Sequence, residues 1–196
     1  MTGLPDDVIY ATQAWATNAA LIADVHRLGY LKDEDHVLDP TWGRGTWWRV
    51  WRPAWLLGPR DNWDFRDMRF PADRFDAVAY DPPYKLNGTP SGPDARYGVD
   101  DPMPWQERHL LMAQGLAECV RVTKPGGIIL MKCQDQVCSG KVRWQTRIFA
   151  DEGERLGCEL IDRFDILGTR AQPSGRRQVH ARRNSSTLLV FKKGRR

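Results

Sequence analysis

The chain has 196 residues, 41% of them hydrophobic and 28% charged, with a formal net charge of +4. That length and apolar content suit one domain with a proper core and exclude global disorder, and no apolar run is long enough to cross a bilayer. The modest positive charge permits a polyanionic partner without requiring one.

Asp6 and Asp7 stand where a signal peptide would carry basic residues, so a cytoplasmic, soluble protein is expected. Acidic residues recur as far as Asp165 and none follows it; Arg170, Arg176, Arg177, Arg182, Arg183, Lys192, Lys193, Arg195 and Arg196 come after. The four cysteines, Cys119, Cys133, Cys138 and Cys158, form no CxxC pair and have no partner at metal-ligand spacing. They read as reduced core thiols, and no metal is expected.

In chain order, residues 8–28 favour a helix within an N-terminal segment (1–33), with Ala14, Leu21, Ile22, Val25 and Leu28 on one face. His36-Val37-Leu38 predicts a short strand that enters a glycine turn. A helix from Thr46 to Trp51, limited by Pro53, is expected next. Trp55-Leu56-Leu57 and Phe75 to Tyr80 predict strands, and the Gly/Pro/Asp-dense stretch from Leu86 to Pro104 a loop. An amphipathic helix is expected over Trp105 to Val122, stopped by Pro125-Gly126-Gly127 before a strand from Ile128 to Lys132. A helix from Val142 to Leu156, capped by Gly157, leads to the strand Leu160 to Leu167. A basic loop precedes the last strand, Ser186 to Phe191. The alternation predicts a single α/β domain (1–196) with a parallel-rich sheet covered on both faces, and the closing strand, reached without a helix, an antiparallel edge.

Two motifs carry chemistry. Val37-Leu38-Asp39-Pro40-Thr41-Trp42-Gly43-Arg44-Gly45-Thr46 is a strand, an acid, a glycine-rich turn and a helix start, the arrangement that binds ligands beyond strand ends in doubly wound sheets. It lacks the Lys-Ser/Thr pair of a P-loop. Asp39 is expected to face the ligand. Asp81-Pro82-Pro83-Tyr84 ends a hydrophobic strand at the same sheet edge. Its prolines remove two amide donors and leave carbonyl acceptors beside a carboxylate. Two acceptors aimed at one point suit an exocyclic amine, whose N–H groups they take while the nitrogen lone pair is freed for attack. Tyr84 offers a flat face for stacking a base.

In this combination the chain resembles the amino-methyltransferases of the Rossmann-like methyltransferase superfamily, and among them small stand-alone DNA methylases of phages and actinobacteria. The resemblance spans about Val37 to Phe191. Asp39 to Thr46 is similar to their cofactor loop and Asp81 to Tyr84 to their catalytic tetrapeptide. Asp64-Phe65 is similar to the segment between them, and Lys124-Pro125-Gly126-Gly127 to the turn before a central strand. The resemblance implies a mostly parallel seven-stranded sheet with an antiparallel last strand, S-adenosylmethionine as cofactor, and methylation of a nucleobase amino group. An initial Asp favours N6 of adenine and leaves N4 of cytosine open; DNA is favoured over RNA, and an idle DNA-binding protein with this fold is the further alternative.

The implied catalytic residues are Asp81, Pro82 and Tyr84. The implied cofactor residues are Asp39, Pro40, Gly43, Gly45, Thr46, Asp64, which would meet the adenine amino group, Phe65, beside the ring, and Asp61 as the candidate ribose acid. The family's N-terminal Phe-Gly motif is missing, and no separate target-recognition domain is expected. An enzyme that modifies a base must take it from the stack and grip phosphates. Lys85, Arg170, Arg176, Arg177, Arg182 and Arg183 are expected to do so, with the 86–104 loop as lid. Nine tryptophans are many for this length, and Trp47, Trp48 and Trp51 are expected to pack in the core.

Overall fold

The computed structural model describes residues 15–58, 63–86, 103–168, 179–181 and 183–195. Asp61, Arg170, Arg176, Arg177, Arg182 and nearly all of the expected lid lie outside them.

Helix α1 (Asn18–Arg27) starts at Thr17, an extended N-cap whose hydroxyl accepts the Ala20 amide at 3.2 Å; residues 8–14 of the expected helix, Ala14 among them, lie outside the described residues. Leu21, Ile22 and Val25 form its buried face, and Leu28 leaves it. Strand β1 (His36–Leu38) runs into the glycine turn. The expected helix after it is a single 3-10 turn, Thr46–Trp48. Strands β2 (Trp55–Leu57) and β3 (Phe75–Tyr80) fall where expected, as does helix α2 (Trp105–Val122).

Strand β4 (Thr123–Cys133) begins earlier than Ile128. Thr123 pairs with Phe75 and Ile128 with Ala77, so Lys124 to Gly127 bulge out of the ladder. The Gly126 φ of +78° permits this bulge, and a Cβ on Gly127 would stand 2.6 Å from the Asp76 carbonyl oxygen.

A hairpin of β5 (Gln136–Cys138) and β6 (Lys141–Arg143), turned at Ser139-Gly140 with positive φ, takes residues assigned above to helix. Helix α3 (Gln145–Arg155) follows it, and Gly157 ends that helix at φ +85°. Strands β7 (Cys158–Leu167) and β8 (Ser185–Lys193) complete the chain.

The main sheet has six strands, not seven, in the order β2-β1-β3-β4-β8-β7. Between β2 and β3 the described residues 63–74 add no strand. They form turns pinned by Arg121, whose guanidinium donates to the Met68 and Phe70 carbonyls at 2.7 and 2.8 Å. The four strands from β2 to β4 run parallel, and β8 is antiparallel to both neighbours, β4 and β7. The antiparallel strand is therefore interior and β7 forms the edge. Leu188 to Phe191 is a continuous apolar run that is buried throughout, which only an interior position satisfies.

Period-two alternation sorts the core into two layers. Val78, Tyr80, Ile129 and Met131 face α2, whereas Ala77, Ala79 and Leu130 face α1 and the Trp47-Trp48 turn. Small alanines on that second face leave room for two indoles. All four cysteines are buried and free. No described helix is long and apolar enough to cross a membrane.

Candidate active site

Parallel strands β1 and β3 lie side by side, so Asp39 and Asp81, each the first residue after its strand, come to the same edge of the sheet. Asp39 does not face outward as expected. Its carboxylate turns into the loop, accepting from the Thr41 amide at 3.0 Å, the Thr41 hydroxyl at 3.3 Å and Trp48 Nε1 at 2.8 Å. Burial pushes its pKa up to about 7, against the pull of the Trp48 and Thr41 hydrogen bonds. Asp39 thus shapes the turn. Pro40 is buried behind it, while Gly43 and Thr46 are exposed.

Gly43 and Gly45 both have positive φ, +53° and +61°. The Trp42 indole is wedged between Gly45 and Gly58, where added Cβ atoms would sit 2.6 and 2.0 Å from the ring. A cleft of about 630 Å³ opens beside this loop, lined by Trp42, Arg52 and the end of β2 at Leu57-Gly58. Another, of about 450 Å³, lies by the amino ends of the strands at His36, Trp55, Phe75 and Lys124, away from both aspartates.

Thr41 joins the two motifs. Its hydroxyl donates to Asp39 and accepts the Asp81 amide at 2.7 Å. Asp81 Oδ1 is sealed from solvent and, among the described residues, has no hydrogen-bond partner. Trp47 Nε1 is buried and equally without a partner of normal geometry, yet close enough to favour the charged carboxylate. Burial raises the Asp81 pKa, opposed first by the Lys132 ammonium and then by Trp47.

Pro82 and Pro83 are buried, and the Pro82 carbonyl already accepts the Tyr84 amide at 2.7 Å, leaving one lone pair. The Tyr84 carbonyl is clamped by Gln136 Nε2 at 2.7 Å and Gln145 Nε2 at 2.8 Å. Gln136 Oε1 accepts the Leu86 amide at 3.1 Å, and Gln145 Oε1 the Gln134 amide at 3.0 Å. The hairpin is thus a brace for the tetrapeptide.

Lys132, near the end of β4, is only 4% exposed. Its Nζ donates to Asn18 Oδ1 at 2.6 Å and lies 5.9 Å from the centroids of both Trp47 and Tyr84. Sequence reasoning missed Lys132, Gln136 and Gln145. The available signal was a lysine closing the apolar run Ile128 to Met131 at the edge where Asp81 emerges.

Other expected residues go elsewhere. Phe65 is fully buried against Tyr80 at 5.4 Å between centroids and lines the core. The Asp64 carboxylate is gripped by Arg66 at 2.7–3.2 Å, and these hydrogen bonds lower its pKa. Lys85 is exposed. Arg183 stacks over Trp144 at 4.6 Å, and Arg143 over Trp105 at 3.7 Å. The consecutive residues Arg143 and Trp144 therefore hold Trp105 and Arg183. Among the described residues no cluster of His, Cys, Asp or Glu is placed to hold a metal ion.

The backbone superposes on a protein assigned as a methyltransferase from Bacillus halodurans C-125, with a TM-score of 0.54 and 15% identity over 89% of this chain and 99% of that one. A protein assigned as a methyltransferase and solved in complex with the Trm112 methyltransferase activator of Haloferax volcanii gives 0.54 and 13%, over 91% and 95%. The fold is that of the methyltransferases. The 4+2 cyclase SpnF shares this methyltransferase fold, at 0.54 and 13% identity over 91% and 82%. A methyltransferase fold therefore leaves the chemistry to be read from the side chains. No protein-family model and no curated protein matches the sequence.

Proposed function

We propose that the chain transfers a methyl group from S-adenosylmethionine to an exocyclic amino group of a nucleobase, with N6 of adenine in DNA as the favoured acceptor. One observation carries the reading: Asp81 Oδ1 is a sealed acceptor with no partner among the described residues, at the carboxyl end of a central strand. A buried acceptor left unsatisfied costs about 1–3 kcal/mol, which an incoming N–H group recovers. The remaining lone pair of the Pro82 carbonyl supplies a second acceptor for the same amine. The Tyr84 ring, held by the Gln136 and Gln145 clamps on its carbonyl, provides a stacking face.

The residues present fit the cofactor. The loop at Gly43 and Gly45 and the cleft of about 630 Å³ beside Trp42 suit a nucleoside-sized group. Gly43, Gly45 and Thr46 would hold it, with Asp64 available for its adenine amino group once freed from Arg66 and Asp61 proposed for the ribose. Asp39 and Pro40 act by shaping the turn. When bound, the cofactor supplies an electrophilic methyl group. The protein's part is to hold the amine nitrogen with its lone pair directed outward and to exclude water around Asp81.

Trp144 supports a nucleic-acid acceptor. It is 47% exposed, carries the Arg183 guanidinium on its ring, and precedes Gln145, which grips the tetrapeptide. A cation beside an open aromatic face suits an unstacked nucleotide next to the target. Lys85, Arg170, Arg176, Arg177 and Arg182 are proposed to extend this grip along the phosphates. Expression in a methylation-free host followed by methylation-sensitive sequencing tests the reading, with modified adenine at a defined motif as the expected result. Methyl transfer to structured RNA and not to DNA would move the substrate to RNA. Cofactor binding without any methylated product would make the chain an idle binding protein.

A further inference from the structure

Lys132 is the one buried cation against the tetrapeptide among the described residues, and the proposed reaction gives it no task. Taking an ammonium out of water is costly unless a charge and hydrogen bonds offset it. Asn18 Oδ1, at 2.6 Å, satisfies one of its three N–H groups but carries no charge. The Trp47 and Tyr84 faces, each 5.9 Å away, add ring attraction. Tyr80 pairs with Met131, so Asp81, just past β3, and Lys132, the next residue of β4, stand side by side; Asp81 is the one carboxylate whose charge acts on Lys132, which in turn is the first influence opposing burial at Asp81.

We propose that Lys132 is a positioning residue for Asp81: its fixed ammonium, held by Asn18 between the Trp47 and Tyr84 rings, keeps the half-buried carboxylate in the doubly accepting form that an incoming amine needs. A protonated carboxyl would offer an O–H donor to an amine that brings donors of its own, and the hold on the nitrogen would be lost. Among the described residues the charged or titratable groups facing this pair are few. Asp39 lies beyond the Thr41 bridge, where the Asp81 charge opposes its ionisation, and Cys133 neighbours Lys132 on β4. Tyr84 lies across the ring contact, and Trp47 contributes its N–H. Lys132 is thus the sole cation in the group among the described residues.

The role in catalysis rests on the amine-methylation reading, but the electrostatic claim can be tested without turnover. Carbon-13 NMR of protein labelled at aspartate carboxyl carbons follows the Asp81 titration, with D81N giving the assignment. K132M is expected to raise the Asp81 ionisation midpoint by about one unit or more, a tenfold change in its proton affinity. K132R, which keeps the charge, is expected to stay within about threefold of wild type. If K132M does not fold, K132Q carries the same test. An unmoved Asp81 midpoint in a folded, uncharged variant overturns the proposal.

In single-turnover methyl transfer, the acidic limb of the rate profile should move to higher pH in K132M and return in K132R. Loss of activity at all pH values in both variants would instead make Lys132 a proton acceptor and overturn the positioning role. Absence of methyl transfer by the wild type sinks the proposed function, yet the NMR titration still decides what Lys132 does to Asp81.

Discussion

Asp39 and Asp81 each follow a buried parallel strand and reach the same sheet edge, but their carboxylates are treated differently. Asp39 accepts three hydrogen bonds from its own loop, from Thr41 twice and from Trp48. Asp81 has only its backbone amide satisfied, by Thr41, and keeps Oδ1 without a partner among the described residues. The satisfied acid is scaffold, since nothing of it remains to offer a ligand. The acid with an unpartnered oxygen can still accept from a ligand, which marks it as the functional one.

The comparison breaks most visibly in pH dependence. The Asp39 pKa of about 7 in the folded chain lies above its ordinary value of 3.8. Folding is therefore favoured by this group while it is protonated, below pH 3.8, and the benefit is lost as pH rises through 7. Denaturant unfolding of the wild type should lose about 4 kcal/mol from this source between those pH values. Asp39→Asn should lack that component of the slope, and parallel slopes in the two proteins would show that Asp39 is not buried as described.

Asp81→Ala should lower kcat on the order of 10²–10³-fold, as expected for removing one preorganised hydrogen-bonding group, while leaving cofactor affinity close to wild type. Methylation at the wild-type rate would refute its assignment. A smaller effect is expected at the bridge. Thr41→Val strips the Asp81 amide of its acceptor and Asp39 of one donor, and should cost about 1–3 kcal/mol in unfolding free energy. It should also lower kcat, because it uncouples the turn from the tetrapeptide. At the rim, Trp144→Ala should raise KM for an oligonucleotide roughly tenfold with little change in kcat, the scale of one lost base–aromatic stack. An unchanged KM would remove Trp144 from the substrate path.

Much of the backbone was legible beforehand because local patterns wrote it. Trp105–Val122 has a helical apolar stripe and a Pro-Gly-Gly stop, and Phe75–Tyr80 is a short, mostly apolar run ended by Asp-Pro-Pro. The hairpin at 136–143 was misread because Val142 and the residues after it continue a helical pattern, and only the positive-φ turn at Ser139-Gly140 separates them. Tertiary pairing overrode local preference there.

By itself the sequence determined the two acids at strand ends, the glycine turn and the rigid diproline, since strand, turn and proline restraints act over a few residues. The tertiary structure alone decided how each is used. The direction of the Asp39 carboxylate depends on where Trp48 lies, and the burial of Phe65 on Tyr80 across the core. The company of Asp81 depends on Lys132 from β4, Asn18 from α1 and the Gln136–Gln145 brace. Those partners are distant in the chain, and hydrogen bonding and desolvation act through space, so no local pattern records them.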